Sequence, residues 1–554
     1  VGGMTPGSYS GLATSIYQEG VRIPPIKLYE RGKVNEGVMR LLLSNMRLPD
    51  ERYGDLNASL GACRVAEQRI EKILGKFGRT LVLDCISENL DRSERRIRAR
   101  IQDLPDGEYC YEDYLEYYDG DVLDPVLMRL RLKVSGDQLT ADFDGSSPQV
   151  PGVVNSSLAV AGAGVFVAVK STLDPQGPVN SGAFRAIALN APEASIVDVR
   201  DDAPAGAHGE VRKRAVSVML GALAQVIPDA VSGDLSGTSF PNSIGGYSKS
   251  RGRSYVYIEV PAGGNGGFLE ADGSSAFVNV DFGSIRSIHN VESLESDMPL
   301  QVQSCVLRED SGGEGQRRGG LGMRRELRLC EGEALYSVLG DRAVIPPFGM
   351  HGGGPAKQLS VSWERGQTVK LFGTPGKVTG HRIQKGDVVI MESAGGGGYG
   401  DPLNRDPEDV RNDMLSGYIT PHRAEAGYGV LFTGEWEVDD DRTSALRLDM
   451  LGRRLRLTVK ADETYPYIGN RGKRRVVRLS EGTITGLGVR VGDLIELMGN
   501  HPAPLRCWIE FGAEVEQDIC PMDEFGRMVL GVEQAQSVWV RSLPGPSAAG
   551  GMAV

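Results

Sequence analysis

Histidine is scarce in this chain, with six among 554 residues. His208, His289, His351, His381, His422 and His501 never fall into an H-x-x-H or H-E-x-x-H spacing, so no complete zinc site of familiar form is written here. Cysteine is sparse too. The seven are scattered without a C-x-x-C pair, which argues against a disulfide framework or structural zinc and for reduced thiols in a cytoplasm. No run of 18 apolar residues occurs, which excludes a membrane-spanning helix. Basic residues are outnumbered, 61 Lys and Arg against 73 Asp and Glu, and a net charge of -12 excludes nucleic-acid binding as the main task. Neither a G-x-S-x-G elbow nor a G-x-x-x-x-G-K-[ST] loop is present, so local support for a nucleophilic serine or a phosphate-binding loop is missing. The opening "VGGMTPGSYSG" has no initiating Met, no basic region and no apolar stretch; it is no signal peptide and reads as a cut start.

Glycine is abundant: 74 residues, about 13% against a usual ~7%. The glycines cluster between strand-like runs, which implies tight turns and close backbone approaches. Length implies three or four domains of ~100 to 200 residues. The fold class expected is a mixed α/β, β-rich and Gly-rich multidomain protein with a small C-terminal β-barrel. Residues 1–120 begin with a helical period over Leu56, Leu60, Cys63, Ile70, Ile73, Leu74 and Phe77 that Gly78 stops, followed by a charged, solvated helix at "SERRIRARIQDL". Residues 121–232 form an α/β region. It has a hairpin turning at Gly136-Asp137, a polar loop "DGSSPQVPGVVNSS", a buried small-residue helix "LAVAGAGVFVAVKSTL" and an amphipathic helix ended by Pro228. Residues 233–436 are Gly-rich strand and turn closed by a short helix at "DPEDVRNDMLSG". Residues 443–545 read as a separate barrel of short strands, "RMVLGV" among them, and 546–554 as a flexible tail.

The chemistry-bearing stretch is "SVLGDRAVIPPFGMHGGGPA". Asp341 and Arg342 either pair to hold a bend, or Arg342 offers a planar fork to a carboxylate or phosphate while glycine N–H groups at 352–354 receive an oxyanion. Spacing alone leaves both open. "AGGGGYGD" lacks the Lys and hydroxyl of a phosphate loop and reads as a packed turn. "DSGGEGQRRGGLG" reads as a solvated hairpin or a subunit contact.

Taken in order, "VGGMTPGS", "IYQEGVRIPPIKLYERGKVNE", "NMRLPDERYGDLNA", "DFDGSSPQVPGVVN", "REDSGGEGQRRGGLGMRRELRL", "SVLGDRAVIPPFGMHGGGPA" and "MESAGGGGYGDPLNRDPEDVRNDMLSGYIT" resemble the hydantoinase B family, over roughly residues 1–430. That family includes the B-type subunits of N-methylhydantoinase, the matching half of 5-oxoprolinase and subunits of acetone and acetophenone carboxylases. The resemblance implies a cytoplasmic hetero-oligomer in which a hydantoinase A-type partner binds ATP and phosphorylates an amide or enolate oxygen of a small-molecule substrate. The B-type chain then handles the activated intermediate, and a divalent metal (Zn or Mn) there would activate water. Family members carry a His-x-x-Asp stretch upstream of the position where this chain starts, so the main metal ligands are expected before Val1, with Glu19 at the metal edge or acting as a plain cap or salt-bridge Glu. Where the family has a His-, Thr- and Asn-rich lining, this chain has "VDFGSIRSIHNVESLE", making His289 and Arg286 the expected catalytic positions. Asp341, Arg342 and His351 are the expected substrate-binding residues. Three functions follow: a subunit of an ATP-dependent cyclic-amide hydrolase, a subunit of an ATP-dependent ketone carboxylase, or a non-catalytic scaffold.

Overall fold

The computed structural model describes residues 2–277, 288–464 and 473–543. A small hairpin, β1 (Tyr29–Glu30) and β2 (Lys33–Val34), precedes α1 (Glu36–Ser44), α2 (Pro49–Phe77) and α3 (Arg79–Gln102). Gly78 separates the two long helices because it takes φ +80°, a left-handed angle that ends α2. The segment read as solvated lies in α3, yet Ser93, Ile97 and Ile101 bury one face at helical spacing. Next comes an α/β layer. Strands β3 (Gly107–Leu115), β6 (Val126–Ser135), β7 (Gln138–Asp142) and β8 (Ile187–Asn190) pair in that order, with β4 (Tyr118–Asp119) and β5 (Val122–Leu123) as a side hairpin. Helices α4 (Leu158–Leu173) and α5 (His208–Leu223) pack against each other, and α5 lies on β3 and β6.

One expectation changes here. Helix α5 is not amphipathic: buried residues run from Glu210 to Leu223 almost without a break, because α4 covers one side and the sheet the other. The polar loop at 144–157 is irregular as expected, and more than half of it is buried. Asn155 donates to the carbonyls of Val150, Gly152 and Pro204 at 2.9, 2.7 and 2.8 Å, and Ser147 Oγ accepts the Leu127 amide at 2.9 Å.

The glycine-rich part holds two antiparallel sheets. One has the order β10 (Arg253–Glu259), β9 (Asn242–Ser248), β13 (Glu333–Leu339), β16 (Lys377–Gln384). The other runs β11 (Leu300–Leu307), β12 (Met323–Leu329), β17 (Val388–Glu392), β14 (Ser360–Arg365), β15 (Thr368–Leu371), with α6 (Val291–Asp297) beside β11. Their shared core includes Ile244, Tyr257, Tyr336, Leu327 and Val389. Five irregular segments, around residues 233, 265, 315, 351 and 397, interlock chiefly through backbone hydrogen bonds. Gly233 donates to Gly267, Gly267 to Gly397 and Gly397 to Asp234, at 2.9, 2.9 and 2.8 Å. At Gly264, Gly266, Gly319, Gly396 and Gly397 an added Cβ would come within 3.0 Å of another segment's backbone. Glycine is required here for close approach. The "DSGGEGQRRGGLG" stretch belongs to this lattice and is largely buried, Arg318 at its centre pairing with Asp413 at 3.1 Å, so it is no solvated hairpin.

Helices α7 (Pro407–Leu415), α8 (Pro421–Tyr428) and α9 (Asp440–Gly452) lead to a six-stranded sheet of order β19 (Val476–Leu479), β21 (Leu505–Phe511), β20 (Leu494–Met498), β23 (Ser537–Ser542), β18 (Arg456–Ala461), β22 (Ile519–Met522). Its edge strands β19 and β22 lie against each other and nearly close a barrel. Helix α10 (Glu481–Leu487) links β19 to β20. The stretch "RMVLGV" is not a strand: it lies mostly in α11 (Glu524–Leu530), where Asp523 accepts the Gly526 amide at 3.1 Å as N-cap and Phe525, Val529 and Leu530 share a buried face. The barrel is wired into the body, since Arg475 reaches Glu112 at 2.6 Å and Tyr111 donates to the Pro504 carbonyl at 3.0 Å.

Candidate functional site

The Gly340-Asp341-Arg342 bend sits over a buried knot of charge. Asp113 of β3 is its centre, accepting from Arg214 of α5 at 2.5 Å, Arg342 at 2.9 Å and Arg506 of β21 at 3.2 Å. Arg342 also contacts Asp234, and Asp234 accepts the Ser217 hydroxyl at 2.7 Å. Asp341 takes the second arm of Arg214 at 2.7 Å, the Glu116 amide at 2.9 Å and Lys377 at 3.4 Å. Glu116 closes the circuit: its carboxylate accepts the amides of Ala343, Val344 and Ile345 at 3.1, 2.7 and 2.8 Å. Arg342 therefore holds φ +66°, unusual for a side-chain-bearing residue, because its head group and the amides after it are fixed from several sides.

Electrostatics follow the pairing. Burial by itself would raise the Asp113 carboxyl, but Arg214, Arg342 and Arg506 outweigh it and hold it well below the usual range. Asp341 is likewise lowered: Lys377 and Arg214 overcome its burial. Glu116 moves the other way, lifted by burial and then by the negative charge of Asp341. Burial, reinforced by Asp341, raises Glu210 of α5 to about 7.

Lys377 carries this knot to a cleft of about 280 Å³, lined among others by Ala13, Thr14, Tyr118, Gly152 and Val153. Its ammonium donates to the Gly340 carbonyl at 2.9 Å and lies 5.9 Å from the Tyr118 ring centre. The Tyr118 hydroxyl is buried with no hydrogen-bond partner among the described residues. Burial, followed by the Glu116 and Asp341 charges, raises it far above the usual phenol range, so it stays a proton donor. A phenol lacking an acceptor beside an ammonium can bind and polarise a carbonyl or phosphoryl oxygen.

The other expected site residues lie apart. Both Glu19 oxygens accept the Ala205 amide, at 3.0 and 3.1 Å, and one takes the Gly206 amide at 2.6 Å, anchoring the N-terminal segment just before α5. His289 is exposed; its amide donates to Glu259 at 2.8 Å and its ring stacks 6.0 Å from Tyr257. Arg286 lies outside the described residues. His351, at φ +53°, packs on Tyr399 with ring centres 4.8 Å apart, and burial lowers its pKa. The amides of Gly353 and Gly354 donate to the carbonyls of Met350 and Glu314, and the carbonyls of Gly352 and Gly353 accept Arg541, so this loop turns acceptors toward the barrel. Only Asp341 and Arg342 are brought together. Sequence reasoning missed Tyr118, Lys377 and Glu116, although "EDYLEYYDG" packs tyrosines and carboxylates into nine residues.

Residues 1–402 match the hydantoinase B/oxoprolinase family. The chain belongs to that family. The putative B-type subunit of a D-/L-hydantoinase from Pseudomonas sp. (strain NS671) is 33% identical over 463 residues, covering 81% of this chain and 76% of the relative. The solved structure of the ATP-dependent caprolactamase from Pseudomonas jessenii superposes with a TM-score of 0.75 at 30% identity, covering 81% of this chain and 78% of that one. A nucleotide-free acetone carboxylase structure gives the same TM-score at 19% identity over 82% and 66%, a likeness of fold alone. The barrel lies beyond the family match. Among the described residues no three His, Cys, Asp or Glu side chains converge to hold a metal. Among them, too, no helix is long and apolar enough to cross a membrane.

Proposed function

We propose that this chain is the B-type subunit of an ATP-dependent cyclic-amide hydrolase that acts on a hydantoin, lactam or oxoproline-like ring. In this reading the ring amide is phosphorylated on an A-type partner. An unstrained amide carbonyl is a poor electrophile, and converting its oxygen to a phosphate leaving group lowers the barrier to attack by water. The observation that carries the reading is the match to an ATP-dependent caprolactamase across about four fifths of both chains, supported by a relative that is itself one subunit of a hydantoinase. The cleft above Lys377 is the assigned substrate position. Lys377 and the Tyr118 hydroxyl would steady the amide or phosphoryl oxygen there, with the charge knot holding Lys377 in place.

A second reading, a subunit of an ATP-dependent ketone carboxylase, is favoured by "VDFGSIRSIHNVESLE" standing where the family has a His-rich lining and by the C-terminal barrel beyond the family match. The two separate on one assay. The chain, reconstituted with its A-type partner, is tested for ATP turnover with a panel of cyclic amides, then with ketones plus bicarbonate; stimulation by ketones alone transfers the assignment, and stimulation by neither leaves a scaffold. Within the hydrolase reading, Tyr118→Phe lowers kcat about 10- to 100-fold with the melting temperature unchanged, because a donor lost from a buried oxygen site costs about 1.5–3 kcal/mol. An unchanged kcat removes Tyr118 from the site.

A further inference from the structure

Helix α2 is 29 residues long, and none of them is buried. Such a helix draws little support from the rest of the chain. Helices in proteins are held mainly by packing an apolar face, and α2 also carries Gly54, Gly61 and Gly75, where an added Cβ would meet nothing within 4 Å. From Tyr53 to Phe77 its apolar residues recur at alternating steps of three and four, with Glu67 as the single charged member of the series. This is the seven-residue period of a coiled-coil seam. On it Tyr53, Ile70 and Phe77 are 49%, 55% and 50% exposed, Cys63 and Glu67 are exposed, and Leu56, Leu60 and Leu74 are half-buried.

We infer that α2 pairs with α2 of a second copy of this chain as an antiparallel coiled coil. The seam is self-complementary in that direction. A two-fold axis across its middle sets Tyr53 against Phe77, Leu56 against Leu74, Leu60 against Ile70 and Cys63 against Glu67 of the second copy, so every layer joins an a position to a d position. The overlap runs for about 36 Å of helix. Glu67 decides the direction. A parallel pair sets the two Glu67 carboxylates face to face in one layer, whereas the antiparallel pair brings each of them beside Arg64 of the other copy. Among the described residues neither Arg64 nor Glu67 has an ion pair, and the Arg64 guanidinium lies over the Tyr29 ring, 5.5 Å from its centre. Two Arg64 and two Glu67 side chains thus cancel around the axis. The remaining charge agrees with this arrangement. Asp50, Glu51 and Asp55 outnumber Arg52, which pairs with Glu51 at 3.3 Å and Asp55 at 2.7 Å, so the first half of α2 is net negative. Arg64, Arg69, Lys72 and Lys76 outnumber Glu67 and Glu71 in the second half, which lies opposite it in the pair. That order also suits each helix's own dipole, so the discriminating feature is Glu67 meeting Arg64 at the centre. The inference does not depend on the amide-hydrolase reading.

The test is the mass of the purified full chain in solution, followed by light scattering over a concentration series. The parent is a dimer. Ile70→Asp puts two carboxylates into the seam at a position exposed in the single chain, and raises the dissociation constant about 100-fold or more. Arg64→Glu surrounds the axis with like charge and weakens the dimer about tenfold or more, and adding Glu67→Arg to it restores the parent affinity. Direction is read from Glu67→Cys under mild oxidation. The introduced thiol links to Cys63 of the second copy, seen by mass spectrometry as a disulfide joining two chains, whereas a parallel pair links like positions. A parent that stays a single chain at about 100 μM, a dimer that survives Ile70→Asp, or cross-links between like positions only would overturn the inference. A single-chain parent whose Ile70→Asp variant loses its A-type partner overturns it too, and gives the face to that partner.

Discussion

Two parts of this molecule solve the same problem, holding distant segments together in the interior, by opposite means. The glycine lattice does it chiefly with backbone: segments near residues 233, 265, 315 and 397 approach so closely that a Cβ at the crossing glycines would meet another segment's backbone. The charge knot does it with the longest side chains available, Arg214, Arg342 and Arg506 spanning from α5, the 341 bend and β21 to one aspartate. A lattice of amides is sterically unforgiving and indifferent to pH. A knot of ions tolerates compensated changes and responds to protons.

The largest effect is expected from a single methyl group in the lattice. Gly264→Ala or Gly397→Ala places a Cβ against the backbone of Gly320 or Phe348. Neither neighbour has a flexible end to move, so the loss exceeds about 4 kcal/mol and the protein is recovered in inclusion bodies. Soluble protein with an unchanged urea midpoint would refute the steric account.

In the knot, Asp113→Ala takes away the one carboxylate shared by three guanidinium groups, leaving each with a single remaining carboxylate partner, and costs about 3–5 kcal/mol. Removing opposite charges together costs less than the separate removals add up to. Arg506 and Glu496 lie 3.1 Å apart, and the double variant Arg506→Met with Glu496→Leu should fall short of the summed single losses by about 1–3 kcal/mol in a double-mutant cycle on urea melts. Strict additivity would mean that the pair is not coupled. No second substitution should rescue a lattice glycine in this way, which is the sharpest form of the comparison.

Legibility in the sequence divides along the same line. Local pattern exposed local structure: alternation from Val126 located β6 and β7 with their turn at Gly136, and the small-residue run located α4. Gly78 stopped α2 as its chemistry requires. The knot was invisible because its partners are 101, 127 and 393 residues apart, and "EVRKRA" reads as a solvated helix face until the carboxylates that meet it are known. The lattice was visible as composition but not as architecture, since nothing local distinguishes a glycine that turns from one that lets another segment pass. "RMVLGV" failed for a simpler reason: a short apolar run carries no period that separates strand from helix. At the candidate site, Asp341 and Arg342 were noticed for the right bend, while Lys377 and Tyr118 needed the fold to bring them to one cleft.

The smallest effect concerns protons, and Glu210 gives it a definite sign. Its folded pKa of about 7 lies above the ordinary 4.5, burial being the main cause and Asp341 the second, with Lys213 opposing. Between those values the folded state holds a proton that the unfolded chain has released, so stability is fully present below about 4.5 and falls as pH rises toward 7. Asp113 and Asp341, held low by their cations, contribute in the opposite sense: their stability is present above about 4 and is lost only on acidification through the folded values. Glu210→Gln keeps an oxygen for the Ser239 amide and never ionises. Its melting temperature should match the parent near pH 4.5 and exceed it above pH 7, by no more than about 3 kcal/mol of stability. A gap that is constant across this range would show that Glu210 does not change its charge in the fold, and a gap opening below pH 4 would assign the effect to the aspartates.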